Sequence, residues 1–503
     1  MTFPLPNPLS QIPRHPLLYA HPSPLHPLPT LTKHFTRKTS QSKIQITLHT
    51  KREDQASPLA SSGNKYRKLE YIIPDILSPT PKYGGLGSGP DRGSAAPPTS
   101  SVVTDPRPNS QNTTTSTTTS SNTKTKTTTL VTEGALQSNH TVQVAALARH
   151  LGLDAVVILH KATGGGWGAS SDRRAFARTG NVQIARLLGA DVRVVEGSSV
   201  AAAASKSASS TGPGASSAAT QDTSGQHEPP EEKREDPVAS TLHSLQHNEQ
   251  KVPYWIPSGA SLHPLGGLGY ARCAFEIVAQ EGHRQNQDLP DLNTNLHSIS
   301  KANGNEKQRM DYIFVACGSG STLGGLIAGF KLLEKMERES TSTTTRQQRP
   351  PRKIIGVLTS PTSPKSYHEE RVLRFARQAA GLIGLDPLAD ITPADVRLED
   401  RFVGTGYGVL DAETKAALET MARTEGVLVD PVYTAKVARA MMHWVRSGEL
   451  EADWRCSFSG GLAEEEDDDD DDDDDGIQKS GPVNVLFIHT GGQSALSAYA
   501  DVD

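Results

Sequence analysis

The chain has 503 residues, 35% hydrophobic and only 5% aromatic, so it exceeds one average domain yet can bury a core over only part of its length. Its formal charge of −5 hides a split: Glu464 to Glu466 and Asp467 to Asp475 hold twelve of the 56 acids, and the rest is mildly basic, too diffusely to argue for nucleic acid. Three cysteines without C-x-x-C spacing exclude a disulfide framework, no metal site is expected, and no apolar stretch approaches the roughly 18 residues of a membrane span.

The N-terminus lacks the apolar core of a signal peptide. It is acid-free until Glu53, as transit peptides are, but Pro4, Pro6, Pro8, Pro13 and Pro16 would break an amphipathic helix there. A cytoplasmic location is expected.

The first chemical block is Ser62-Gly63-Asn64-Lys65-Tyr66-Arg67-Lys68-Leu69-Glu70. Lys65 follows a Gly-Asn pair and precedes a helical pattern. The helix dipole there disfavours an ammonium and helps lower its pKa. A neutral amine can condense with an aldehyde. Taken alone, Lys65, Arg67 and Lys68 read better as a solvated basic helix start, as most lysines are.

Residues 84–129 are Gly/Pro-rich and then almost pure Thr/Ser, and read as an insertion. A strand is predicted over Leu130–Glu133, followed by Gln137-Ser138-Asn139 and a helix marked by Val144, Leu147, Ala148 and Leu151. Ser138 and Asn139 would either hold an anion at the helix N-terminus or simply cap it. Strands follow at Ala155–Leu159 and Asp191–Val195. The segment 198–250, Ala/Ser-rich and then highly charged, is a second insertion, and 284–310, 338–352 and 457–482 are shorter ones. Such compositions bury too little apolar surface to offset the entropy of ordering them. About 336 residues remain, the size of a two-domain enzyme.

A strand at Tyr312–Ala316 runs into Cys317-Gly318-Ser319-Gly320-Ser321-Thr322 and a helix with Leu326, Gly329, Phe330 and Leu333. Glycines with hydroxyls make a backbone cradle for a phosphate. A dinucleotide site would need a carboxylate ending the next strand, Ile354–Leu358, which continues Thr359-Ser360. A single phosphate fits better. Tyr407 lies in a glycine-rich stretch. Asp430-Pro431-Val432-Tyr433-Thr434 precedes a helix with Val437, Ala440, Met441 and Trp444, and Pro431 suits its first turn. Val483–Ile488 is the last strand. Short Val/Ile/Leu strands alternating with helices predict an α/β fold with parallel sheets and ligands at the strands' carboxyl ends.

In this order the blocks resemble the pyridoxal-phosphate family containing 1-aminocyclopropane-1-carboxylate (ACC) deaminase and D-cysteine desulfhydrase. The resemblance runs from Pro16-Leu17 and Lys51-Arg52-Glu53-Asp54 through the Gly-Asn-Lys block, Gln137-Ser138-Asn139 and Gly180-Asn181. It continues through Ile256-Pro257-Ser258-Gly259-Ala260-Ser261, Gly266-Gly267-Leu268-Gly269, Asp430-Pro431-Val432-Tyr433 and His489-Thr490-Gly491-Gly492. It covers nearly all of the core and none of the insertions.

The resemblance implies a tryptophan-synthase-β-like fold, type II among pyridoxal-phosphate enzymes, with two open parallel-sheet domains and long low-complexity insertions. The large domain would comprise 1–69 and 198–503, the small one 70–197. By the same likeness Lys65 carries pyridoxal 5'-phosphate and moves protons, Asn139 holds its 3'-oxygen, and Ser319, Gly320, Ser321 and Thr322 cradle its phosphate. Ser138 binds the carboxylate of a small amino acid or assists proton transfer, and Gln137 and Asn139 also contact that substrate. Tyr407 and Tyr433 face the substrate, Trp167 and Thr490 line its site, and a homodimer is implied.

Two positions bear on the substrate. The deaminase carries Glu after Asp-Pro-Val-Tyr, facing the pyridine nitrogen, where Thr434 stands, and Leu between the His and Gly-Gly, where Thr490 stands; desulfhydrases have Thr at both. A carboxylate there would strengthen the electron sink needed to open a cyclopropane. A thiolate leaves more readily. The sequence therefore favours D-cysteine desulfhydrase, with ACC deaminase as the alternative, for which the wording of the remaining core argues; Ala135, where both branches usually have Gly, departs from both. An inactive relative acting through its insertions is opposed by the intact Lys65, Ser138, Asn139, Tyr407 and Tyr433.

Overall fold

The computed structural model describes residues 4–36, 44–84, 126–161, 178–196, 236–281, 308–340, 350–361, 363–459 and 482–499. Trp167 lies outside these residues, as does most of each expected insertion.

Among the described residues, ten strands form two sheets. They are β1 (Leu25–Pro27), β2 (Ile46–Arg52), β3 (Thr129–Ala135), β4 (Asp154–Lys161), β5 (Asp191–Glu196), β6 (Pro253–Ile256), β7 (Tyr312–Cys317), β8 (Lys353–Leu358), β9 (Arg397–Glu399) and β10 (Val483–His489). The larger sheet has the order β1-β2-β10-β7-β8-β9 and is parallel except for the β1–β2 pair. The smaller, β5-β4-β3-β6, is parallel throughout. All six predicted strands are present. β7 explains why they read as continuous apolar runs: Ile313, Val315 and Cys317 enter the core on one face, Tyr312, Phe314 and Ala316 that on the other.

The helices are α1 (Pro29–Thr36), α2 (Lys65–Ile76), α3 (Asn139–Leu151), α4 (Gly180–Leu187), α5 (Pro237–His247) and α6 (Leu268–Glu281). α7 (Ser321–Ser340), α8 (Lys365–Leu382), α9 (Ala412–Glu425), α10 (Thr434–Arg446) and α11 (Glu449–Ser459) follow among the described residues. α6, α7 and α8 cover one face of the larger sheet and α1, α9, α10 and α11 the other, while α2 and α3 supply the main core of the smaller sheet. Among the described residues no helix is long and apolar enough to cross a membrane.

Two expectations need correction. The stretch 198–250 is not all insertion: α5 forms its end, with Asp236 accepting the Val238 N–H at 2.9 Å, a proline at the first helical position, and Val238 and Leu245 buried against β3 and β4. The smaller sheet likewise extends past residue 197, because β6 pairs with β3. The charged run ahead of α5 masks its short apolar stripe.

α2 is held by buried charges. Arg67 pairs with Glu53 and, at 2.8 Å, with Glu276 of α6, which also accepts from Lys51 of β2. Removing one partner of such a buried set costs about 3–5 kcal/mol, because the remainder is left uncompensated. Lys65, two residues before Arg67, therefore starts from a fixed helix.

Candidate functional site

Loops at the carboxyl ends of β3, β7, β8 and β10 meet the N-termini of α2, α3, α7 and α10. Parallel α/β sheets offer their ligand crevice at such ends.

Lys65 is the first residue of α2, as the sequence predicts. Its backbone N–H donates to Gln143 Oε1 of α3 at 3.0 Å. The turn before it docks on the end of β10: Asn64 N donates to the Thr490 carbonyl at 3.1 Å, and a Cβ on Gly63 would lie 2.7 Å from that same oxygen. Only glycine permits this approach. Burial pushes the Lys65 pKa down to about 8, against a raising hydrogen bond with Lys68. The direction matches the sequence argument, with desolvation as the main cause.

Lys68, read from the sequence as part of a solvated helix start, is instead a core residue. It is fully buried, and its ammonium donates to Ser321 Oγ at 2.9 Å and to the Gly259 carbonyl at 3.2 Å. Burial, then the neighbouring Lys65 charge, hold its pKa well below the usual lysine range, and Arg371 adds a further positive charge nearby. In sequence a lysine three positions on from Lys65 is indistinguishable from a solvated one; no signal short of the fold marks it.

The loop after β7 turns through Gly320 at φ +96°, where a side chain would be strained. It brings Ser319 against Gly259, whose added Cβ would lie 2.5 Å from Ser319 Oγ. Ser321 Oγ lies 3.0 Å from Ser261 Oγ, and Thr322 Oγ1 accepts from Asn64 Nδ2 at 3.2 Å. Ser319, Gly320, Ser321 and Thr322 thus face the lysine turn across one cradle.

On the other side, Ser138 is the N-cap of α3 but makes no side-chain cap bond. The simple capping alternative is not realised through its hydroxyl. That group sits over the end of β3 instead, where a Cβ on Gly134 would come within 2.7 Å of it. Asn139 is buried, its Oδ1 accepting from Asn181 Nδ2 at 2.8 Å. Gln137 faces Gly408, the neighbour of Tyr407.

Tyr407 and Tyr433 share a short hydrogen bond between their hydroxyls, with ring centroids 5.9 Å apart in an edge contact. Burial raises both phenol pKa values, so both remain protonated. Tyr433 also approaches Gly318, 3.6 Å from an added Cβ. Pro431 is not in the first helical turn: α10 begins at Thr434, and the Asp430 carboxylate accepts the N–H groups of Val432, Tyr433 and Thr434, each at 2.9 Å. Thr434 donates its hydroxyl to Asp430 Oδ1 at 2.7 Å and accepts the Asp430 N–H at 2.7 Å. Gly492 packs on Asp430, closing the ring back to Thr490.

The family of pyridoxal-phosphate dependent enzymes matches residues 111–459. The 1-aminocyclopropane-1-carboxylate deaminases of Burkholderia multivorans and Burkholderia vietnamiensis are each 30% identical, over 98% of this chain and 98% of theirs. A crystal structure of an ACC deaminase homologue shares the fold with a TM-score of 0.57 at 21% identity, covering 98% of this chain and 96% of that one. The chain belongs to the pyridoxal-phosphate dependent enzymes, in the family of ACC deaminase and D-cysteine desulfhydrase, and its cofactor is pyridoxal 5'-phosphate. The site suits that group. Lys68 is a buried amine that donates to two neutral oxygens and is hydrogen-bonded to Lys65, with Arg371 as a further positive charge nearby, an arrangement that an anion at the cradle would balance.

Proposed function

We propose that this pyridoxal-phosphate enzyme converts D-cysteine and water to pyruvate, sulfide and ammonia. The observation that carries the reading is the locked Thr434 hydroxyl: its one hydrogen goes to Asp430, so it offers no proton to a pyridine nitrogen and no charge beside one.

Pyridoxal phosphate, when bound, supplies the electron sink for bonds broken at the substrate's α-carbon. The chain's residues do the rest. Lys65, its ammonium destabilised by burial, carries the cofactor and moves the proton at the α-carbon. Lys68, Ser319, Gly320, Ser321 and Thr322 hold the phosphate, and Asn139 the 3'-oxygen. Ser138, Gln137 and the α3 N-terminus receive the substrate carboxylate. The paired hydroxyls of Tyr407 and Tyr433 stay protonated and serve as hydrogen-bond donors toward a departing thiolate, which leaves as the anion. We read the active species as a homodimer.

ACC deamination is the second reading, favoured by the curated deaminases that match 98% of the chain. Supplying both substrates to one preparation, with pyruvate and 2-oxobutanoate quantified separately, decides between them: the proposal requires faster release from D-cysteine, and faster 2-oxobutanoate formation from ACC refutes it.

A further inference from the structure

Asn181 stands at the start of α4, away from every sequence block assigned a role, and is buried. Its side-chain amide joins three segments. Nδ2 donates to the backbone carbonyl of Gln137 at 2.8 Å and to Asn139 Oδ1 at 2.8 Å, while Oδ1 accepts the Ser494 hydroxyl at 2.6 Å. Gly180 beside it, at φ +58°, lets the helix start close to the Ser494 carbonyl, 3.1 Å from an added Cβ.

These bonds have a direction. A backbone carbonyl can only accept, so the Asn181 atom facing Gln137 must be its NH₂ group. The second hydrogen of that NH₂ points to Asn139, whose facing atom must then be its oxygen. The Asn139 amide is thereby fixed, and none of the described residues accepts from its own NH₂. An oxygen anion on a bound cofactor needs a donor there, and a reversed amide would present an acceptor.

We propose that Asn181 is a positioning residue that sets the Asn139 amide with its NH₂ toward the cofactor. The Ser494 bond ties this setting to the C-terminal turn Gln493–Tyr499, so α4 and that turn hold Asn139 from behind. The inference rests on the reading of Asn139 as a cofactor contact.

Asn181→Asp tests it. The introduced carboxylate would face two oxygens and draw the Asn139 NH₂ toward itself, reversing the amide. The cofactor affinity of the apoprotein, followed by quenching of protein fluorescence, should weaken roughly tenfold or more, as expected when a bond to a charged oxygen is lost. The absorption band of the bound cofactor should also move. Asn181→Ala, which frees the amide without reversing it, should fall between wild type and the aspartate variant and carries the test if the latter does not fold. In an Asn139→Ala background neither change at 181 should shift the band further, whereas a merely structural role would act equally in both backgrounds. Equal shifts in both backgrounds, or no shift from either variant while Asn139→Ala alone moves the band, overturn this inference only. If Asn139→Ala itself leaves band and affinity unchanged, the cofactor reading of Asn139 fails and the inference falls with it.

Discussion

Lys68 Nζ donates to Ser321 Oγ at 2.9 Å, which places a fully buried ammonium beside the glycine turn after β7. Without an anion this ammonium is a cost to the fold, since burial without a charged partner disfavours the protonated form. Lys68→Met should therefore have two opposite effects. The apoprotein should melt at a higher temperature than wild type, while cofactor affinity should drop by about 1.5–3 kcal/mol, the range for a hydrogen bond to a charged group. The band of the bound cofactor should keep its position, because Lys65 is untouched. A Lys68→Met apoprotein that melts below wild type would falsify this account of the buried charge.

Lys65 should show its depressed pKa in the rate at which apoprotein takes up the cofactor. Only the neutral amine condenses with an aldehyde. With a pKa of about 8, the rate should rise about tenfold per pH unit below pH 8 and level off above it. An amine at the ordinary lysine value of 10.5 would instead keep gaining rate beyond pH 10. Stopped-flow absorbance between pH 6.5 and 10 distinguishes the two profiles.

The core of this site is legible in the sequence where chemistry is written into local order. Lys65 after Gly63-Asn64, Ser138-Asn139 after β3, and the Gly318–Thr322 turn after β7 all sit where strand-loop-helix alternation predicts. Legibility ends where the meaning of a residue depends on distant partners. β2 goes unread because His49 and Lys51 interrupt its apolar pattern, and partners distant in sequence, Glu276 and Gln280 of α6 with the Ser23 carbonyl, make Lys51 a core residue. Asp430 reads as part of a motif, yet its carboxylate gathers the N–H groups of Val432, Tyr433 and Thr434 into a turn ahead of α10, and the helix starts past Pro431. β6 is four residues long and begins with proline, too short for periodicity to mark.

The stretch between Gly84 and Lys126 should be dispensable for cofactor binding. Both of its flanks are anchored on one short segment: Trp255 N donates to the Gly84 carbonyl at 3.2 Å, and Thr128 N donates to the Val252 carbonyl at 2.9 Å. Three residues of extended chain separate those anchors, about 10 Å, which a short Gly/Ser linker spans. Closure entropy changes only slowly with loop length, so the effect on stability should stay near 1 kcal/mol. Replacing 90–125 by such a linker should preserve the cofactor band and the rate with D-cysteine. Loss of either in a soluble variant would assign the segment a part in the site.

On the proposed reading, substrate choice rests on Thr434 and Thr490. Thr434 spends its hydroxyl hydrogen on Asp430, whose buried carboxyl already carries a raised pKa, desolvation being the main cause. A pyridine nitrogen next to this hydroxyl gains no carboxylate to hold its proton, and the sink is weaker. Departure of a thiolate removes developing charge from the sink as it forms. Opening the cyclopropane leaves that charge on the sink for longer, so it depends more on the missing carboxylate. Thr434→Glu with Thr490→Leu should therefore raise the ratio of ACC turnover to D-cysteine turnover roughly tenfold or more, each tenfold corresponding to about 1.4 kcal/mol in barrier difference. The change carries a structural cost, because it removes the hydroxyl that Asp430 accepts and sets two carboxyl groups close together. About 1 kcal/mol of stability should be lost with the hydrogen bond alone. Thr434→Val removes the same bond without adding charge and should show that loss with no gain toward ACC. If the valine variant shifts the ratio as far as the double variant does, the carboxylate is not the determinant and the electronic argument for D-cysteine fails.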